Sequence, residues 1–190
     1  MRRLVAVLAT ALAGTVAVSA TAASRPIDGG TVHDTFDLVQ EDFCGVPGLD
    51  VTDVGTVRIR YRVTSRGRQQ LSYYAENVRE SGVVTDLRTG RTVSFTIVTN
   101  GKDLHVADNG DGTLTIVGFG TGSYTVRSAD GGILGRNPGQ FRDSILIDTR
   151  GTPDPSDDVF LGQLEVLKAS TGRNDDVCAA MLAGLGVEAG

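Results

Sequence analysis

The 190-residue chain has no tryptophan, only two cysteines and two histidines, and aromatic residues at 5% of its positions. Each shortage removes a class of chemistry. A zinc-type centre takes several nitrogen and sulfur ligands at close spacing. Cys44, Cys178, His33 and His105 stand far apart, so no metal site is expected. A serine hydrolase of the nucleophile-elbow type needs Gly-x-Ser-x-Gly on a strained turn, and that segment is missing. Gly118-Phe119-Gly120-Thr121-Gly122-Ser123 has the glycines of a phosphate loop without its lysine or following helix. It reads as a sharp corner between strands, and no cofactor is expected. Lysine itself is confined to Lys102 and Lys168; the other cations are arginine, a bias that fits a GC-rich, actinobacterial source.

Two acidic features suggest calcium and fail on inspection. In Asp108-Asn109-Gly110-Asp111-Gly112-Thr113, taking Gly112 as the sixth loop position puts Ala107 first and Gly118 twelfth. Both positions need oxygen ligands, so the segment reads as a hairpin turn. Asp154, Asp157 and Asp158, and the pair Asp175 and Asp176, read as solvated loops and a helix N-terminus.

What is present begins with an export signal. Met1-Arg2-Arg3 is followed by an apolar run from Leu4 to Val18, then by Ala20-Thr21-Ala22. A positive start, a short apolar stretch and small residues form a cleavable signal peptide over residues 1–22, with cleavage near Ala22-Ala23. The expected product is one secreted domain over 23–190 with no membrane span. Without Arg2 and Arg3, 16 basic residues face 23 acidic ones, a net charge of −7. Such an excess argues against nucleic acid or anionic lipid as partner.

Period-two alternation dominates the rest. Val57-Arg58-Ile59-Arg60-Tyr61-Arg62-Val63 places apolar residues on one face and three arginines on the other. Eight further strands are predicted at Thr31–Val39, Leu71–Thr85, Arg91–Thr99, Asp103–Asp108, Gly112–Gly120, Ser123–Ala129, Ile133–Arg136 and Gln140–Asp148. Thr89-Gly90, Asn100-Gly101, Asn109–Gly112 and Asp130-Gly131-Gly132 supply tight turns between antiparallel neighbours. The spacing of Phe160, Leu164 and Leu167 predicts a short helix over 157–169, and Val177–Leu185 a second helical segment. The expected fold is all-β, an antiparallel up-and-down barrel of about 8–9 strands with a short C-terminal helical segment, because closure removes exposed edges. A two-sheet sandwich is the alternative.

In an oxidising compartment the two cysteines have one connectivity, Cys44–Cys178. His33 and His105 oppose apolar neighbours in the alternation and are expected to face solvent. Arg58, Arg60 and Arg62 form a solvated exterior stripe or a basic lining for an anionic ligand, and the core's need for Val57, Ile59 and Val63 favours the stripe. A small apolar or amphipathic ligand would enter a barrel mouth, with Tyr61, Tyr73, Phe95 and Phe119 as lining candidates.

Several segments together carry a resemblance: Glu41-Asp42-Phe43-Cys44-Gly45, Asp108–Ile116, Gly135–Gln140, Asp154–Phe160 and Ser170–Asp176. They resemble a group of uncharacterised secreted actinobacterial single-domain β proteins. The resemblance implies a secreted β domain and brings no activity, since that group has no assigned reaction. Three functions follow in order: a binding protein for a small amphipathic ligand, an extracellular interaction module without ligand, and an enzyme with a site at strand ends, where paired carboxylates can come from any strands.

Overall fold

The computed structural model describes residues 25–152 and 157–188. The expected signal peptide over 1–22 and much of the acidic loop around Asp154 lie outside the described residues. Alternating sequence becomes seven strands: β1 (Arg25–Gln40), β2 (Val51–Arg66), β3 (Leu71–Asp86), β4 (Thr92–Asp108), β5 (Thr113–Ser128), β6 (Ile133–Asp148) and β7 (Val159–Lys168). Among the described residues a 3-10 turn at Phe43–Gly45 and one helix, α1 (Val177–Leu185), accompany them. The strands form a single antiparallel sheet in sequence order.

Strand number differs from the expected eight or nine because three pairs of short predicted strands are each continuous. Asn100-Gly101 lies inside β4, paired to Asn77 and Glu76 on one side and Thr121 and Gly120 on the other. Gly118–Ser123 lies inside β5 and is no corner, and Pro138 lies inside β6. Glycine weakens a strand, yet ladders on both sides hold these segments extended. The predicted helix over 157–169 is instead β7. Gly162 and Val166 disfavour helix, and pairing with β6 satisfies the backbone despite repeated register shifts. Thr89-Gly90, Asn109–Gly112 and Asp130-Gly131 do turn the chain, with Gly90, Gly110, Gly112 and Gly131 at positive φ.

The sheet is not closed into a barrel: among the described residues no ladder joins β1 to β7. β7 is short, exposed and irregularly paired to β6.

Register assigns side chains to two faces. One face carries the rows Phe36–Gly55–Gly82–Phe95–Val126–Gly135 and Asp34–Val57–Glu80–Ile97–Tyr124–Asn137. Helix α1 packs on it through Ala180, Met181, Leu182 and Leu185 against Val93, Phe95 and Val126, with Phe43, Leu49, Val51 and Val84 completing the core. We call this the covered face. Close approach dictates small residues here: a Cβ on Gly135 would stand 2.7 Å from that of Ala180.

Asp176 caps α1 by accepting from the Ala179 amide at 3.0 Å, and Gly186 ends it at φ 71°. Cys178 in its first turn is joined to Cys44 in the 3-10 turn, 134 residues away. Beside them Phe43 is buried and Val177 packs against the core.

Candidate functional site

Beyond the helix the covered face is open. The rows Val32–Ile59–Val78–Thr99–Gly122–Gly139 and Gly30–Tyr61–Glu76–Gly101–Gly120–Phe141 continue it across six strands. Over β3 to β6 they hold a groove of about 380 Å³. Its floor is the backbone of Gly101, Gly120 and Gly122, with the Phe141 ring over Gly120. Ile97 and Tyr124 wall it toward the helix, and Glu76 and Phe141 wall the far side. Asn137 and Ser170 add polar groups at the β6 end.

The walls are held in place. Tyr124 stacks on buried Phe95 with ring centroids 5.8 Å apart. Phe141 lies over Gly120, where an added Cβ would come within 2.5 Å of the ring. The Tyr74 hydroxyl donates to Glu76 Oε2 at 3.1 Å, orienting the carboxylate. Gly101 differs from its neighbours, because a Cβ there would meet only the flexible Glu76 side chain, at 3.4 Å.

Electrostatically the covered face is acidic. Burial pushes the Asp53 carboxyl above its ordinary range, opposed by a hydrogen bond from Gln40 Nε2 to Oδ2 at 3.0 Å. Its Oδ1 is buried without a partner. Burial, then the charge of Asp53, raises Glu80, and burial with both carboxylates raises the Tyr124 hydroxyl. Tyr74 is pushed up to about 12, by burial first and then by Glu76. A face of this kind resists anions and welcomes neutral or cationic guests.

The four predicted ligand-lining aromatics do not converge. Tyr61 and Phe95 are on the covered face, Tyr73 and Phe119 on the opposite one. Phe95 is core, 4% exposed, and serves the groove only by supporting Tyr124. Tyr61 stacks on Tyr74 at 6.3 Å. Tyr73 accepts from the Val106 amide at 3.3 Å under the guanidinium of Arg66, and Phe119 sits between Lys102 and Arg142. Tyr124, Phe141 and Glu76 escaped the sequence reading. Their signal was the period-two glycine spacing 118, 120 and 122, which keeps one strand face bare.

On the opposite, basic face Arg60 and Arg62 are exposed as expected of a stripe, whereas Arg58 is half-buried. His33 and His105 are exposed. Among the described residues no group of three or more His, Cys, Asp or Glu side chains could hold a metal ion. Asn109–Gly112 is the β4–β5 hairpin, tied by Asp111 accepting from the Thr113 amide at 3.0 Å. Comparison with protein-family models, curated proteins and solved structures finds no match.

Proposed function

We propose that this chain is a secreted protein that binds a small amphipathic molecule, neutral or cationic, in the glycine-floored groove of the covered face. The groove itself carries the reading. A glycine floor flanked by the rings of Tyr124 and Phe141 accepts a planar or ring-shaped apolar body. Glu76, Asn137 and Ser170 stand at its margins to orient polar substituents. Export is supported by the Cys44–Cys178 disulfide and agrees with the expected signal peptide. No helix among the described residues is long and apolar enough to cross a membrane. A barrel, the finer form of the fold, would require β1 and β7 to meet, and the groove does not depend on it.

The test is titration with N-phenyl-1-naphthylamine, a neutral amphipathic fluorophore. The wild type should bind it saturably. Gly101→Val should fill the groove and abolish saturation while retaining the fold, since the site tolerates a Cβ and β-branching suits a strand. Unsaturable fluorescence in the wild type, or unchanged binding by Gly101→Val, contradicts the reading.

One observation favours a second reading, an interaction module. Phe160, Leu161 and Leu164 of edge strand β7 are each more than half exposed, at 61%, 52% and 56%. An apolar edge with free backbone groups can pair with another strand. Concentration-dependent self-association removed by Leu164→Lys, with no probe binding, would select this alternative.

A further inference from the structure

The basic face holds a second, larger hollow, of about 660 Å³. Two cross-strand rows line it: His33–Arg58–Arg79–Val98 and, one step along, Thr35–Thr56–Ser81–Thr96. The row between them is Asp34–Val57–Glu80, whose side chains alternate to the covered face. Asp34, Val57 and Glu80 also border the hollow, but their side chains belong to the other face, so two arginines and four hydroxyls meet on this side.

Arg58 and Arg79 are direct cross-strand partners. Like charges placed opposite each other destabilise a sheet unless something neutralises them. The ion pairs found among the described residues, Arg88–Asp86, Arg150–Asp148 and Arg173–Asp175, involve neither arginine. Arg58 Nε is buried and has no hydrogen-bond partner. A buried donor without an acceptor costs free energy that a bound acceptor would recover. A solvated stripe explains Arg60, Arg62 and Arg79, which are exposed, but not half-buried Arg58.

We infer that the hollow is a binding site for a tetrahedral oxyanion, phosphate or sulfate, carried on a small organic body. Guanidinium groups present forked donors that match such oxygens, and they form the stronger, charge-assisted class of hydrogen bond. The threonine and serine hydroxyls of the second row can complete the oxygen shell. The volume exceeds what one inorganic ion fills, and Val98 provides an apolar wall for the remainder. This site lies on the opposite face from the groove and does not depend on it.

Calorimetric titration with inorganic phosphate, inorganic sulfate, phenyl phosphate and phenyl sulfate tests the inference. Saturable binding is expected, with the preferred phenyl ester at least about threefold tighter than its inorganic ion. Whether the phosphate or the sulfate series binds more tightly identifies the anion. Arg79→Gln and Arg58→Gln should each weaken binding by about tenfold or more. Their thermal midpoints without ligand should equal or exceed the wild-type value, because like-charge repulsion is relieved, so a lost fold cannot mimic a lost site. Arg60→Gln, a neighbour outside the two rows, should change affinity by no more than about threefold. No saturable heat with any of the four probes overturns the site. Equal weakening by Arg60→Gln and Arg79→Gln overturns it in favour of diffuse attraction, and equal affinity for ion and ester overturns the organic body.

Discussion

The two faces of the sheet are made by the same strands, residue by alternate residue, yet they solve different problems. On the covered face the apolar residues concentrate at one end, where Val51, Val84, Val93 and Val126 meet Leu182 and Leu185 of the helix. Past that corner the same face carries Asp53, Glu80 and Glu76 around glycines and rings. The basic face has arginine, threonine and serine where the covered face has valine, glycine and carboxylate. The main buried cluster is thus gathered at one corner, and Val63, Val106 and Ile147 are buried apart from it. The acidic net charge hides the difference between the faces, because a sum over the chain says nothing about which face each charge occupies.

Breaking the covered corner should have the largest effect. Replacing Cys44 and Cys178 by serine frees a loop of 134 residues, at a cost of up to about 5 kcal/mol in the chain-entropy account. Denaturant melts with and without reductant measure it, and two reactive thiols in the unreduced wild type would refute the link. Next, Leu182→Ala opens a cavity beneath the helix and should cost about 3 kcal/mol. No truncation of Arg60 or Arg62 should approach that value by the same assay.

A sharper comparison uses adjacent residues of β2. Ile59 is half-buried on the covered face, outside the main cluster, and Arg60 is exposed on the other. Ile59→Asp should destabilise by about 1–3 kcal/mol by placing an unpaired charge in a partly apolar setting. Arg60→Ser should stay within about 0.5 kcal/mol. Urea midpoints in the reverse order would show that the faces are assigned backwards.

The smallest effect is one of pH. Asp53 and Glu80 have folded-state values above their ordinary 3.8 and 4.5. The native state therefore holds their protons more tightly than the unfolded chain does. Their contribution is fully present below those ordinary values and is lost as pH rises through the raised ones. Glu80→Gln should accordingly melt higher than wild type near neutral pH and together with it at about pH 3. Asp86 runs the other way. Burial opposes its ionisation, but the Arg88 amide, the Thr89 hydroxyl at 2.8 Å and the Arg88 guanidinium outweigh it and lower its pKa. That contribution holds above 3.8 and fades as pH falls through the depressed value. Asp86→Asn should therefore lose stability at neutral pH and little in strong acid.

These residues also show how much was legible beforehand. Alternation alone assigned Val57–Val63 and its arginines to opposite faces, and glycine turns located three hairpins, because both signals are local. The cysteine pair was readable because two thiols allow one connectivity. Asn100-Gly101 and Gly118–Ser123 misled because a strand flanked by ladders on both sides can absorb turn residues. β7 read as a helix because Phe160, Leu164 and Leu167 fit the helical spacing; Gly162 and Val166 weigh against it locally, and pairing with β6 makes it a strand. The groove was invisible because Glu76, Tyr124 and Phe141 come from three strands, and register, which no local pattern contains, brings them together.

The central claim is that recognition of a neutral or cationic amphipathic molecule belongs to the glycine-floored groove, and amide chemical-shift mapping with N-phenyl-1-naphthylamine tests it most directly. The account predicts saturable shifts confined to Glu76, Thr99, Gly101, Gly120, Gly122 and their neighbours, with the rows of His33 and Thr35 unmoved. Shifts centred on Arg58 and Arg79, or no saturable shift at all, would contradict it.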